Sequence, residues 1–387
     1  MFLNKLRERN PKLIEFAKEA FDDGRILPNS YILDLDAITN NAKLLKEEAD
    51  KFNIQVFQMT KQFGRNPIVA KAIADQGIEK AVCVDFEEAL ILMKHGIKMG
   101  NVGHLVQTPT HALKKILSAK PEVMTIFGYE KAIMVNKAAQ ELDLHQEIIL
   151  KVYDDNDIIY KGQDGGIHIK DLKEQIKQIK KLSNLTIVGF TSFPAFLYDG
   201  TNTTKTNNLH TINKAVEIGR SNGLDVKHIN MPSANSVNTL KDISRFGGTH
   251  AEPGHALTGT MPINSKKNMA EMLAIMYVSE VSHFVKDKAY FYGGGHYRRG
   301  HFNNIVVMNK NKELDFKVNE FDPNSIDYYL NFNHNDKKIN IGDLVIGSFR
   351  TQIFVTRAKV VVVKGLSAGK PEIIGTYSSQ GDLIEWM

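Results

Sequence analysis

Ile54-Gln-Val-Phe-Gln-Met59, followed by Thr60-Lys-Gln-Phe-Gly-Arg-Asn-Pro67, reads as a strand, a glycine turn and the start of a helix. The first part is a short apolar run, and Pro67 suits the first turn of a helix. Lys61 stands at the carboxyl end of that strand. A lysine so placed can be partly desolvated, which lowers its pKa and frees the amine to bond covalently to an aldehyde cofactor. The plainer alternative is a solvated lysine in a connecting loop.

Outward from this unit the same alternation continues. Tyr31–Leu35, Ala81–Val84, Asn101–Val106, Glu122–Phe127, Glu147–Val152, Leu185–Phe190 and Val226–Asn230 read as strands. Helical stretches fall between them, among them Ala132–Leu142, Leu209–Ile218 and the apolar stripe of Leu172, Ile176, Ile179 and Leu182. Asp36 is placed to cap the helix after the first strand. About eight such units with short connections predict an α/β fold, a (β/α)8 TIM-type barrel over residues 30–258. A doubly wound open sheet is the alternative; the lack of a G-x-G-x-x-G or P-loop near the first strand favours the barrel.

Beyond residue 258 the texture changes. Met272–Ser282, Ala289–Tyr292, Asn304–Met308, Asp343–Phe349 and Gln352–Val363 are strand-like and separated by glycine and Asn/Asp clusters, which predicts a β-rich C-terminal domain over residues 259–387. Residues 1–29 read as an N-terminal helical extension, one amphipathic helix carrying Leu13, Ile14, Phe16, Ala17 and Phe21 and ended by Pro28 and Asn29.

A chain of 387 residues exceeds one ordinary core, consistent with two domains. It is 42% hydrophobic and 24% charged, the composition of a globular protein. Its 49 basic and 44 acidic residues leave a net charge of +5, spread along the chain, so no nucleic-acid partner is expected. The single cysteine, Cys83, excludes an intramolecular disulfide and fits a reducing cytoplasm. Within Ala81-Val-Cys-Val84 it reads as a buried, inert thiol. No apolar run approaches the roughly 20 residues of a membrane span. The N-terminus is charged where a signal peptide needs an apolar core. A cytoplasmic location and no membrane partner are expected.

Three further blocks carry chemistry. Tyr31-Ile-Leu-Asp-Leu-Asp-Ala-Ile-Thr-Asn-Asn41, Lys61 at the end of the next strand, Ala234-Asn-Ser236 and Glu252-Pro-Gly-His-Ala-Leu-Thr-Gly259 occur in this order. The ordered set resembles alanine racemase and related fold type III pyridoxal-phosphate enzymes over residues 30–260, and within them the YhfX-like branch. The resemblance implies pyridoxal 5'-phosphate as cofactor, with Lys61 as its covalent lysine and as one base at the substrate Cα. It implies that Ser236 donates to the phosphate with Asn235 nearby, that Gly254 and the His255 amide approach the phosphate, and that Glu252 faces the pyridine nitrogen. Arg245 in Ser244-Arg-Phe-Gly-Gly248 is the rival for that last contact. Each has a structural alternative: a helix cap for Asn235 and Ser236, a turn after Pro253 for Gly254.

Tyr292-Gly-Gly-Gly-His296-Tyr297 resembles the family's Tyr-Gly-Gly block, in which the tyrosine comes from the partner subunit. Tyr292 is thus the candidate second base, with His296 and Tyr297 behind it; the alternative is an aromatic strand ending in a glycine turn. Arg350, in Gly347-Ser-Phe-Arg-Thr-Gln352, loosely resembles the substrate-carboxylate segment and suits a bidentate carboxylate pair, or a structural salt bridge.

The chain also departs from the family. Alanine racemase has arginine where Glu252 stands, and related decarboxylases have glutamate; a carboxylate there favours a protonated ring and a stronger electron sink. The Lys-Ala-Asn-Ala-Tyr turn is here Lys61-Gln-Phe-Gly-Arg65, which loses a phosphate-binding tyrosine that Arg65 or Asn66 would replace. The Asp-Thr-Gly-Met-Gly-Arg segment is replaced around Gln163-Asp-Gly-Gly166, and Thr-His-Phe is Thr191-Ser-Phe193. The expectation is an amino-acid racemase or epimerase acting through a Cα carbanion with two-base proton exchange, on a small amino-acid substrate. The alternatives are a pyridoxal-phosphate lyase or decarboxylase, or a non-catalytic pyridoxal-phosphate binding protein. The family implies a head-to-tail homodimer with shared active sites. No metal site is expected, since His296 and His301 have weak ligand spacing and Cys83 lies in the first domain.

Overall fold

A computed structural model of the chain describes residues 1–309, 312–322, 324–335 and 337–385. It divides into two compact units: Ala42–Thr60 with Ile73–Ala256, and Met1–Asn41 with Lys61–Ala72 and Leu257–Met387.

In the first unit, ten described strands form one parallel sheet. Its path runs Gln55–Val56, His250–Ala251, His228–Asn230, Leu185–Thr191, Gln146–Tyr153, Val123–Ile126, Lys98–Val102, Lys80–Cys83, Gln58–Met59, with Ile167–His168 beside Gln146–Tyr153. The two ends of the path are one stretch of chain interrupted only at Phe57, so the sheet returns on itself as a nearly closed TIM-type barrel. Helices such as Phe86–Lys94, Tyr129–Glu141 and Asn207–Ser221 follow the strands. The strands are nearly continuous buried runs, as a parallel sheet covered on both faces requires. Cys83 is buried, its Sγ 3.3 Å from Met99 Sδ.

One expected barrel strand goes elsewhere. The strand expected over Tyr31–Leu35 forms as Ser30–Asp34, but it pairs antiparallel with Ile275–Val285 and parallel with Lys359–Lys364. All five of its residues are buried. A run buried on both faces has no periodicity to say which sheet it joins. The barrel instead takes His250–Ala251, two residues too short to show any alternation.

The second unit is built on a nine-stranded sheet in the order Lys312–Lys317, Asn304–Asn309, Leu344–Gly347, Ile275–Val285, Ser30–Asp34, Lys359–Lys364, Glu372–Tyr377. Lys288–Tyr292 pairs with Ile275–Val285 and with Tyr329–Asn333. Two helices, Phe2–Arg9 and Pro11–Asp22, replace the single N-terminal helix expected. Pro11 cannot donate to the preceding turn, so the chain breaks at Asn10 and restarts with proline in the first turn. Leu6, Leu13, Phe16 and Ala17 then pack on Met276, Val306, Ile346 and Val361 of the sheet. The Asn10 side chain donates to Asp34 Oδ2 at 2.8 Å.

The helix Leu35–Lys51 is capped by Asp34, not Asp36: Asp34 Oδ1 accepts from the Ala37 amide at 3.0 Å. Asp36 instead accepts from the amides of Gly365 and Ser367 and the Ser367 hydroxyl, tethering that turn. Among the described residues no helix is long and apolar enough to cross a membrane.

Candidate active site

At the carboxyl ends of the barrel strands one buried carboxylate gathers polar groups. Glu252 follows His250–Ala251 and is 3% exposed. Asn101 Nδ2 donates to its Oε1 at 2.9 Å, and His104 Nδ1 lies 3.2 Å from its Oε2. The Thr125 hydroxyl donates to Asn101 Oδ1 at 2.7 Å, which turns the amide NH2 toward Glu252. The ring of His104 is seated edge-on against Phe193, 5.7 Å between centroids. A carboxylate this deep needs such donors, because burial disfavours the charged form.

The neighbouring loop is built to hold Glu252. Asn235 Oδ1 accepts from the Glu252 amide at 2.7 Å, while its Nδ2 donates to the Met231 and Ser233 carbonyls. Both ends of the Asn235 side chain are therefore spent on backbone, which makes it a positioning residue. Ser233 and Ala234 have left-handed backbones, at φ of 85° and 52°. Two adjacent non-glycine residues in that region are strained, a feature concentrated at functional sites. Ser236 caps Val237–Arg245, and its amide donates to the Thr239 hydroxyl at 2.8 Å. The cap reading of Ser236 is thus realised, and a helix N-terminus is also an anion site. Gly254 is a bend directly before His255–Thr258. Arg245, the rival to Glu252, is exposed at the end of its helix, 5.8 Å from the Phe246 ring, where a cation complements the helix dipole.

Sequence reading missed Asn101, His104 and Thr125, whose meaning lies in their meeting Glu252, which comes from a distant strand. It also missed Lys151, for which a signal existed: one lysine inside the apolar Glu147–Val152 run. Lys151 is buried, its Nζ 4.6 Å above the Phe127 ring and donating to the Gln163 carbonyl at 3.1 Å. Burial lowers its pKa to about 8, with Asp164 opposing. An amine that readily gives up its proton near neutral pH suits general-base work. Between about pH 8 and the ordinary lysine value the unfolded chain binds the extra proton, so stability rises with pH there; below pH 8 the penalty is complete. Lys151→Met is therefore expected to stabilise the protein at pH 7 by up to about 3 kcal/mol, a gain that shrinks as pH climbs past 8. Denaturant melts of both proteins across that range check it.

Lys61 opens a single 3-10 turn, Lys61–Phe63, and is 8% exposed. The residue before it is pinned: the Thr60 hydroxyl and the Val84 amide both donate to the buried Glu88 carboxylate. Gly64 has φ +71°, and a Cβ there would come within 3.2 Å of the Ser379 carbonyl, so the turn requires glycine. Arg65 donates to Gln380 Oε1 at 2.7 Å, and Asn66 Oδ1 accepts from the Ile68 and Val69 amides to cap Pro67–Ala74. These contacts hold the turn.

Tyr292 ends the strand Lys288–Tyr292, half-buried, its ring 5.6 Å from Tyr329. The glycine loop after it wraps an internal carboxylate: Gly294 and His296 amides donate to Asp327 Oδ2, and Arg357 pairs with Oδ1 at 2.8 Å. A Cβ on Gly295 would lie 2.2 Å from the Tyr277 ring. The Tyr31 hydroxyl donates to the Gly295 carbonyl and meets the Thr351 hydroxyl at 2.9 Å, which links this loop to the Arg350 segment. Arg350 itself is half-buried. Taken singly, these groups suit parts of pyridoxal phosphate by donor chemistry: Lys61 is a nearly dry amine, Glu252 a buried carboxylate, and Val237–Arg245 offers a helix N-terminus.

Comparison with known proteins bears on this set. Residues 33–262 match the family model described as alanine racemase, N-terminal domain, and residues 276–373 match the YhfX-like, C-terminal domain. The uncharacterized protein YhfX of Escherichia coli K12 is 39% identical over 388 residues, covering 99% of this chain and all of that protein. Among solved structures, alanine racemase of Clostridium difficile 630 superposes with a TM-score of 0.66 at 17% identity, covering 92% of this chain and 99% of that one. D-threonine aldolase of Filomicrobium marinum gives 0.64 at 13% identity, over 91% and 95%. A variant of D-threo-3-hydroxyaspartate dehydratase gives 0.67 at 14% identity, over 92% and 95%. At these identities the structural likeness speaks to the fold.

Proposed function

The chain belongs to the alanine racemase N-terminal-domain family and carries a YhfX-like C-terminal domain, and on that premise we propose that it is a pyridoxal-phosphate-dependent racemase or epimerase of amino acids. The observation that carries the cofactor part of this reading is the buried Glu252 with Asn101 and His104 turned onto it, while the racemase chemistry rests on the family match. Nothing in barrel packing requires a carboxylate there, and it meets a positively charged ring nitrogen well.

Pyridoxal phosphate, when bound, supplies an electron sink conjugated to the substrate Cα and so acidifies the Cα–H bond. Lys61 would hold the cofactor covalently and carry a proton at one face of Cα. The Tyr292 hydroxyl, contributed across a homodimer, would carry the proton at the other face. Glu252 would hold positive charge at the ring nitrogen. Ser236 and the amides at Gly254 and His255 would bind the phosphate, with Asn235 fixing Glu252. Arg350 would clamp the substrate carboxylate.

A second reading has its own support. Glu252 in place of arginine makes the cofactor a stronger sink, and the fold is shared with an aldolase and a dehydratase, so elimination or decarboxylation is the competing outcome. Incubation with single amino acids in deuterium oxide, followed by chiral and product analysis, tests this. A racemase yields both enantiomers carrying deuterium at Cα. A lyase or decarboxylase yields an oxo acid or an amine. Absence of exchange with every amino acid would leave a non-catalytic binding protein and sink the proposal.

A further inference from the structure

The amino-end mouth of the barrel, opposite to Glu252, holds a second polar cluster. His228 and His250 open two neighbouring strands and are 2% and 6% exposed. Their rings stack with 3.5 Å between centroids, and Phe57 leans on both. Glu122, directly before Val123–Ile126, places Oε1 3.7 Å from His250 Nε2. The ligand atoms of all three residues lie within 4.8 Å of one another. Nε2 of both histidines is buried and has no hydrogen-bond partner.

Thr249 sets the proton position on His250. Its hydroxyl donates to the Lys227 carbonyl at 3.1 Å and accepts from the Ile229 amide at 2.8 Å. With the Thr249 proton on the Lys227 carbonyl, the 2.7 Å contact to His250 Nδ1 is an Nδ1–H donation to Thr249 Oγ1. Nε2 then presents a lone pair toward a carboxylate oxygen. A buried imidazole acceptor facing a half-buried carboxylate oxygen favours a cation between them. The other Glu122 oxygen is already held by Lys80 and by Gln55 Nε2.

The geometry points to a divalent transition-metal site of the zinc class at this mouth, ligated by His228 Nε2, His250 Nε2 and the Glu122 carboxylate, with solvent in the remaining position. Thr249, Lys80 and Gln55 form the supporting shell that orients these ligands. A cavity of about 550 Å³, lined in part by Gln55, Lys80, Thr249 and His250, gives an ion access. Parallel rings cannot aim both lone pairs at one point, so binding turns the two imidazoles out of their stack. In the sheet order, Leu185–Thr191 and Gln146–Tyr153 separate His228–Asn230 from Val123–Ile126. The ion would therefore staple strands that are not neighbours and act on the barrel floor. It is independent of the proposed racemase chemistry.

The test uses tag-free, full-length protein, stripped with a chelator and titrated with Co²⁺, then with Zn²⁺. One Co²⁺ per chain is expected, with a visible ligand-field band that Zn²⁺ displaces and a raised melting temperature. His228→Gln and His250→Gln should abolish the band, and Thr249→Val should weaken binding about 10- to 100-fold. A wild type that takes up no stoichiometric ion overturns the inference and leaves a salt bridge from protonated His250 to Glu122. So does a band that survives both histidine substitutions. If the histidine variants do not fold, Thr249→Val and the wild-type stoichiometry decide.

Discussion

Lys61→Ala is expected to lower the rate of Cα–H exchange at least about 10⁴-fold, because an amine held in place acts at an effective concentration no dissolved amine reaches. Lys61→Arg should do no better, since a guanidinium does not release its proton at working pH. The fold should survive either change. The turn is anchored by the buried Phe63, by Gly64 against Ile353 and Val360, and by Asn66 at the head of Pro67–Ala74. Exchange measured at saturating substrate, with the melting temperature as control, checks the prediction. Loss of activity with an unchanged melt supports a chemical role for Lys61. Activity that persists within the same order removes it from the mechanism.

Glu252→Gln is expected to cost about 10²- to 10³-fold in kcat, the size seen when one preorganised electrostatic partner is removed. The amide keeps the shape of the side chain but cannot hold a positive ring nitrogen. It also sets an NH2 where a carboxylate oxygen accepts from Asn101 or faces His104. The loss should appear in kcat and leave the KM for substrate nearly unchanged, because the carboxylate meets the cofactor and not the substrate. Arg245→Ala serves as the contrast. Arg245 is exposed at the end of its helix, and its removal should leave both constants unchanged. If the two variants exchange these phenotypes, the ring-nitrogen assignment moves to Arg245.

The parts of this fold that were legible in sequence are those with a repeating or chemical signature. Leu185–Thr191, Gln146–Tyr153 and Val123–Ile126 follow from apolar runs bounded by turn residues. Lys61 and Glu252 were singled out by residue type, at strand ends and in ordered motifs, and the structure buries both. Membership of a sheet was not legible. Ser30–Asp34 has five buried residues and no alternation, and His250–Ala251 is too short to carry any. The caps show the same limit at short range. Asp34 and Asp36 are equal candidates by residue type, and the Gly365–Ser367 turn, distant in sequence, decides between them. Asn101, His104 and Thr125 were invisible for a further reason. Each is an ordinary polar residue until two neighbouring strands bring them beside a carboxylate from a third.

The most direct test of the central claim is chemical mapping of the cofactor lysine. The purified full-length protein, supplied with pyridoxal phosphate, is reduced with borohydride and digested, and the modified peptide is identified by mass. The account predicts a yellow protein that bleaches on reduction, with one reduced pyridoxyl adduct per chain, on Lys61. A protein that stays colourless after added cofactor would contradict it. So would an adduct on Lys151, a buried amine whose pKa burial lowers to about 8.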